Sequence, residues 1–304
     1  MKVAVTGASG LLGTHLVRSL RADGHDVLRL VRRPAQRADE VRWDPSSGRV
    51  NTDALAGLEA AIHLAGAGLG DRPWTPGYRR LVYDSRVNGT RTIATALASL
   101  EPRPRVLVSM SGVGYYGNQG DRVLDEDSPV GSGYIAKISH DWEQPTSLAA
   151  DAGIRVATAR TGVVVAAGGG AFGRILPVFR LGLGGRIGSG RQYWSWIGLR
   201  DYVRAIRFLL DRDDIAGAVN VCAPNPVTNA ELTTTLGRLL HRPAVLSVPG
   251  FALRLPLRDF AEDLLGGQRV VPTRLMATGF VFEQPEIEAA LRAVLTPPQP
   301  RTTS

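Results

Sequence analysis

The sequence predicts an α/β fold in which a doubly wound parallel sheet carries a smaller, loop-rich region toward the C-terminus. Short β-branched or apolar runs alternate with longer helical patterns along the first 220 residues, the order that produces a parallel sheet covered on both faces. The first run, Lys2-Val3-Ala4-Val5-Thr6, leads directly into the glycine pattern Gly7-Ala8-Ser9-Gly10-Leu11-Leu12-Gly13 and a helix, the context in which such a turn carries a ligand.

In that turn Gly7 allows the tight reversal, Gly10 lets the backbone come close to a pyrophosphate, and Gly13 lets the helix pack on the strand. The amides of the helix start, at Leu11, Leu12 and Gly13, are left for phosphate oxygens. Leu11, Leu12, Leu16, Val17 and Leu20 share one broad helical face, and Gly24 ends the helix before the apolar run Val27 to Val31. Strand, helix and strand in this order make a Rossmann-type dinucleotide-binding unit. Its second strand ends at Arg32-Arg33, where an NAD-binding chain usually carries a carboxylate for the ribose 2′-hydroxyl. A guanidinium there suits the 2′-phosphate of NADP(H) through a charge-assisted pair. A solvated arginine pair is the alternative in so arginine-rich a chain.

Further strands are expected at Ala60 to Leu64, Arg105 to Ser109, Arg155 to Arg160 and Ala218 to Val221, with helices at Arg79 to Leu100 and Ser139 to Ala152. Ligands of open parallel sheets sit beyond the carboxyl ends of the strands. Gly7, Arg32, Ala65-Gly66, Ser111 and Thr161 are therefore the positions to inspect. From Gly168 the character changes to a glycine-rich stretch followed by Tyr193, Trp194 and Trp196, which reads either as a lid or substrate wall or as connecting loops around half-buried tryptophans. Residues 1–165 are expected to form the dinucleotide-binding domain, rejoined by about 200–222. Residues 166–199 and 223–304 are expected to form the substrate or lid region, with a compact unit at about 249–295 and a disordered Pro297-Pro298-Gln299-Pro300 tail.

The net charge is +8 and the isoelectric point about 10.2. Lys2 and Lys137 are the only lysines among 36 basic residues, and the arginines are spread over the whole length; no basic stripe or recognition motif argues for nucleic acid. A lone cysteine, Cys222, excludes an intrachain disulfide, and the five histidines lack ligand spacing, so no metal is expected. The chain has neither an apolar leader at its start nor a run of the ~18 apolar residues that would span a bilayer. A cytoplasmic protein with no membrane partner follows as the expectation.

Motifs spread over nearly the whole chain resemble the extended and atypical short-chain dehydrogenase/reductases, specifically the epimerase-like family with a small C-terminal domain of unknown function. They include Thr6-Gly7 to Gly13, Trp43-Asp44-Pro45, His63-Leu64-Ala65-Gly66, Ser85-Arg86-Val87, Gly114-Tyr115-Tyr116-Gly117, Arg160-Thr161-Gly162-Val163 and the more specific stretch Phe179 to Trp196-Ile197. The resemblance implies that the glycine turn holds pyrophosphate, that Arg32 faces the adenosine end, that Leu64 and Ala65 line the strand-end wall, that Arg86 approaches from the following helix, and that Val164 lies on the nicotinamide side. It also implies a Ser, Tyr and Lys set in which Tyr and Lys are four residues apart on one helix. Ser111 and Tyr134 match by position, but four beyond Tyr134 stands Ile138, and the nearby lysine is Lys137. That one-residue offset turns the lysine ~100° around the helix. An unassisted tyrosine of pKa ~10 can donate a proton but is a poor base, which favours carbonyl reduction over alcohol oxidation. A second departure is Gly198, where extended members often have histidine, followed by Asp201, which is expected to cap a helix at Tyr202 to Leu210.

Together these readings describe an NADP(H)-dependent oxidoreductase or sugar-epimerase-like enzyme that transfers hydride to a carbonyl substrate, for which the superfamily suggests a nucleotide sugar. The offset lysine and missing histidine equally fit a non-catalytic NADP(H)-binding regulatory protein. The oligomeric state is not readable from the sequence.

Overall fold

A computed structural model describes residues 1–251, 261 and 265–296. Its centre is an eight-stranded sheet built from β1 (Lys2–Thr6), β2 (Asp26–Val31), β3 (Glu40–Asp44), β4 (Arg49–Val50), β5 (Ala60–His63), β6 (Val106–Gly112), β8 (Arg155–Thr161) and β13 (Gly217–Val221). Across the sheet they run β13-β8-β6-β5-β1-β2-β3-β4. All neighbours are parallel except β3 and β4. The strands are near-continuous Val, Ile, Leu and Ala because both faces are covered. On one face, α1 (Leu11–Ala22) and α6 (Leu199–Asp211) bury Leu16, Val17, Leu20, Tyr202, Ile206 and Leu209 against Val3, Val5, Ile62 and Val108. On the other, α2 (Pro76–Ala98) and α4 (Ser147–Asp151) pack Ile93, Leu97 and Ala149 on Leu28, Leu30, Ala61 and Leu107. The strand order reverses between β1 and β5, which puts the ligand crevice at their carboxyl ends.

Three local expectations differ from the structure. Helix α2 starts at Pro76 rather than Arg79, because the Thr75 side chain accepts the Tyr78 amide at 3.2 Å and Pro76 sits at the first helical position. The stretch 139–152 is not one helix: α3 (Tyr134–Glu143) gives way to a 3-10 turn at Gln144–Thr146 before α4, since Pro145 has no amide to continue the ladder. Asp201 is not a cap. Gly198 occupies that position, and the fully buried Asp201 carboxylate accepts the amides of Glu283 (3.1 Å) and Gln284 (2.8 Å) and a bond from Arg204 (2.7 Å). It ties the C-terminal segment to the sheet-covering helix.

The remaining elements pair in twos: β7 (Val123–Leu124) with β16 (Arg269–Val270), β9 (Val163–Val165) with β12 (Trp196–Gly198), β10 (Gly185–Ile187) with β15 (Leu246–Val248), and β11 (Tyr193–Trp194) with β14 (Val227–Thr228). Around them α5 (Gly170–Arg180), α7 (Asn229–Leu240) and α9 (Ile287–Leu295) enclose a second core of Phe172, Leu176, Phe179, Trp196, Leu232, Leu236 and Leu291. The Trp194–Trp196 stretch thus divides its roles: Trp196 is core, Trp194 only partly so. Between β16 and α9 lies α8 (Thr273–Ala277), whose Leu275 packs on the main sheet core. The Pro297 to Pro300 tail lies outside the described residues.

Candidate cofactor and catalytic site

At the crevice, Gly7 has φ +66°, and a Cβ there would lie 2.9 Å from the carbonyl carbon of Leu64. At Gly13 a Cβ would lie 2.2 Å from the Gly7 carbonyl oxygen, so strand, turn and helix close only with glycine at both positions. Gly10 precedes α1 without a side-chain cap, and the first turn has no acidic residue. The amides of Leu11, Leu12 and Gly13 have no intrahelical partner and face the crevice with the positive end of the helix dipole. Beside them, Thr6 Oγ1 accepts the amides of Leu64 (3.1 Å) and Ala65 (3.2 Å), so its proton goes to His63 Nδ1 at 2.8 Å. His63 is fully buried, and burial holds its pKa down to about 3. A neutral imidazole therefore fixes the wall that Leu64 and Ala65 form.

Arg32 and Arg33 part company. Arg33 makes a two-pronged pair with Glu40 (2.7 and 2.8 Å), and that bond and the Gln36 amide hold the Glu40 carboxyl down to about 2. Arg32, at the end of β2, is exposed and makes no ion pair or hydrogen bond among the described residues. Arg29, also spoken for, bonds Asp39 and Glu40. Arg29 and Arg33 are thus neutralised locally, whereas Arg32 at the strand end, like the exposed Arg37 and Arg42, has no carboxylate partner among the described residues.

Arg86 projects from α2 toward the β5 end. Its Nη1 donates to the carbonyls of Ala67 (2.8 Å) and Val82 (3.1 Å), and the guanidinium lies 4.8 Å from the Trp142 ring. It is buried, pairs with no carboxylate among the described residues, and burial draws its pKa down to about 10. A buried cation without counter-charge is costly and favours an anion nearby. Above the turn, a Cβ on Gly168, Gly169 or Gly170 would lie 3.4, 3.7 and 3.9 Å from the Leu11 side chain, and Arg174 of α5 bonds the Gly70 carbonyl and the Asp71 carboxylate. The glycine run and the loop after β5 are thereby latched across the crevice. Val164, in β9, packs partly buried beside the main core.

The three candidate catalytic residues do not meet. Ser111 is buried, and its hydroxyl donates to Glu143 at 2.6 Å. The Tyr134 hydroxyl donates to the Arg79 carbonyl at 3.4 Å, its ring lies under the Arg79 guanidinium, and it borders an open cleft of about 380 Å³ lined by Pro76, Arg79, Arg80, Tyr83 and Asp84. Lys137 Nζ donates to Asp141 at 2.6 Å, a carboxylate shared with the Tyr83 hydroxyl; that bond raises the lysine pKa and keeps it charged. The cause is the register of α3. A Cβ on Gly114, just beyond β6, would meet Ile135 Cγ2 at 2.5 Å and Ser139 Oγ at 3.7 Å, so Ile135 and Ser139 form the pair four residues apart that faces the strand end.

Below them runs a buried polar row that sequence reasoning missed. Ser111, Arg160 and Asn220 are register partners on β6, β8 and β13. Arg160 donates to both Glu143 oxygens at 2.9 Å and to the Tyr116 hydroxyl at 3.0 Å, which donates to Asn220 at 2.7 Å. Burial alone would lower the arginine pKa, but the Glu143 carboxylate overrides it and raises the value. Burial pushes the Tyr116 hydroxyl up to about 12. The row is a satisfied floor rather than a set of poised groups.

The model of the NAD dependent epimerase/dehydratase family matches residues 3–222. The chain belongs to this family. A domain of unknown function, DUF1731, matches residues 248–294. An epimerase family protein of Mycobacterium leprae is 44% identical over 297 residues, 97% of this chain and 96% of that protein. The crystal structure of human epimerase family protein SDR39U1 (isoform 2) with NADPH superposes with a TM-score of 0.89 at 35% identity, covering 97% of this chain and 99% of that one. A nucleoside-diphosphate sugar epimerase structure from Corynebacterium glutamicum gives 0.81 at 32% identity, with 97% of this chain and 58% of that one. At the carboxyl ends of β1 and β2 the positions a Cβ would fill are glycines, no side chain caps the first turn of α1, and Arg32 has no ion pair among the described residues. Among the described residues, no helix is long and apolar enough to cross a membrane.

Proposed function

We propose that this chain binds NADP(H) and serves hydride transfer to the carbonyl of a small molecule, with a nucleotide sugar as the substrate class, in the cytoplasm. The observation that carries the cofactor choice is Arg32, a guanidinium with no partner among the described residues where the 2′-phosphate of a dinucleotide on the glycine turn would lie. The relative crystallised with NADPH supports the same choice, and the sugar epimerase among the similar structures supports the substrate class. When bound, the dinucleotide supplies the hydride. The first-turn amides at Leu11, Leu12 and Gly13 hold its pyrophosphate, Leu64 and Ala65 form the wall beside it, Arg86 supplies a buried positive charge, and Val164 borders the nicotinamide side.

In the catalytic reading Ser111 polarises the carbonyl oxygen, Tyr134 gives it a proton and Lys137 supports the tyrosine. That reading requires α3 to turn so that Tyr134 takes the place now held by Ile135. The α3 register favours a second reading, in which the chain holds NADP(H) without turnover and cofactor occupancy sets its shape. Fluorescence titration with NADPH and NADH tests the cofactor reading, and equal or absent binding of both ends it. A panel of carbonyl substrates with Tyr134→Phe and Ser111→Ala separates the two functional readings: turnover unchanged in both variants removes these residues from the chemistry.

A further inference from the structure

The sequence contains no aspartate or glutamate from residue 152 to 200, or from 232 to 258. The structure folds the described parts of both segments together. Strand β10 pairs with β15, Gly182 approaches Pro243, and Arg242 Nε donates to the Arg180 carbonyl at 3.1 Å. On the surface so formed stand Val178, Leu181, Leu183, Val245 and Leu246, with Leu181 73% and Val245 83% exposed. Arg180, Arg186 and Arg242 rim them, exposed and with no carboxylate partner among the described residues. Elsewhere Arg21 is paired with Asp39, Arg212 with Asp214 and Arg238 with Glu288.

A contiguous apolar patch rimmed by unneutralised cations marks an interaction site. We propose that this face docks on an anionic lipid surface. The chemistry selects that occupant. A second copy would bring an identical cationic rim against the first in a chain already at +8. A protein partner is usually anchored by aromatic side chains in pockets, whereas these five are aliphatic and stand out from the surface. Aliphatic side chains entering the acyl boundary while arginines meet phosphates is the way peripheral proteins hold an anionic interface. The earlier expectation of no membrane partner rested on the lack of a spanning segment, which a surface-bound protein does not need.

The test is co-sedimentation of the full chain with vesicles of phosphatidylcholine alone and of phosphatidylcholine with phosphatidylglycerol, at low and high salt. Binding is expected only with the anionic vesicles and should weaken with salt. Reversing two rim charges, Arg180→Glu with Arg242→Glu, should lower partitioning at least about 25-fold, since each arginine near such a surface is worth about a fivefold factor. Leu181→Ser with Leu183→Ser should lower it at least about tenfold, while circular dichroism and thermal midpoint stay at wild-type values. No sedimentation with anionic vesicles overturns the proposal. So does undiminished binding of the leucine variant, which would mean that net charge alone attracts the chain, or concentration-dependent dimerisation through this face without vesicle binding.

Discussion

Replacing Arg32 and Arg33 one at a time separates two guanidinium groups that look equivalent in the sequence. Arg33 already closes a two-pronged bond with Glu40 at 2.7 and 2.8 Å, while Arg32 is left with solvent. A hydrogen-bonded charge pair contributes ~1.5–3 kcal/mol, which corresponds to a roughly 10- to 150-fold change in Kd. Arg32→Ala should therefore weaken NADPH binding by at least about tenfold and leave NADH nearly unchanged, because NADH lacks the 2′-phosphate. Arg33→Ala should change NADPH affinity less than about threefold, since the lost bond is to Glu40; its effect should appear as a lower thermal midpoint at neutral pH and a shallower loss of stability in acid, because the Glu40 carboxyl is no longer held so far below its ordinary value. The assay is quenching or enhancement of reduced-nicotinamide fluorescence at fixed ionic strength, because surface pairs are screened by salt. Equal losses in both variants, or a parallel loss of NADH affinity in Arg32→Ala, would refute the assignment of the strand-end cation to the 2′-phosphate.

Gly13→Ala should abolish dinucleotide binding and lower stability by ~1–3 kcal/mol, because its methyl would meet the backbone oxygen of Gly7 at 2.2 Å and no flexible side chain can yield there; chemical denaturation and the same titration read both effects. Asp71→Ala, which frees Arg174 from one end of the latch across the crevice, should raise the NADPH dissociation rate several-fold in stopped flow with little change in association; an unchanged off-rate would mean that the latch does not cover the cofactor. His63 gives a pH dependence: its folded pKa is held at about 3 against an ordinary 6.5, so its contribution is complete above pH 6.5 and is lost as pH falls toward 3. The expected slope is about 1.4 kcal/mol per pH unit below that point, read from urea midpoints between pH 7 and 5. His63→Asn should flatten it, leaving the smaller share of His15, whose pKa burial also lowers.

What the sequence made legible was what local physics fixes. The glycine turn reads directly because only glycine survives at Gly7 and Gly13, and the strands read as apolar runs because parallel strands are buried on both faces. The boundaries that shifted depend on single residues, Pro145 ending a helix and Thr75 starting one. Asp201 was misread because its partners, the amides of Glu283 and Gln284, lie some eighty residues away, and no local pattern announces them. The division between Arg32 and Arg33 was hidden for the same reason: Glu40 arrives on the neighbouring strand.

The catalytic set fails to assemble for a reason the spacing already contained. A tyrosine and lysine three apart are displaced on a helix by about 100° from a pair four apart, and the fold must choose which of the two faces the sheet. Ile135, Ile138, Ser139 and Trp142 make the buried stripe of α3, so burial sets the register and turns Tyr134 and Lys137 toward Arg79, Tyr83 and Asp141. Turning α3 by one residue to bring Tyr134 to the place of Ile135 would carry the Lys137 charge into the buried place of Ile138 and turn the buried Ala136 outward, and burying a charge away from its carboxylate partner opposes that strongly. The glycine turn of the proposed dinucleotide site, by contrast, is already closed against Leu64 and Gly7 as only glycine allows. Cofactor binding and tyrosine chemistry therefore stand on different footings in this chain, and an NADPH complex in which Ile135 still faces Gly114 would move the proton donor to another residue or remove turnover altogether.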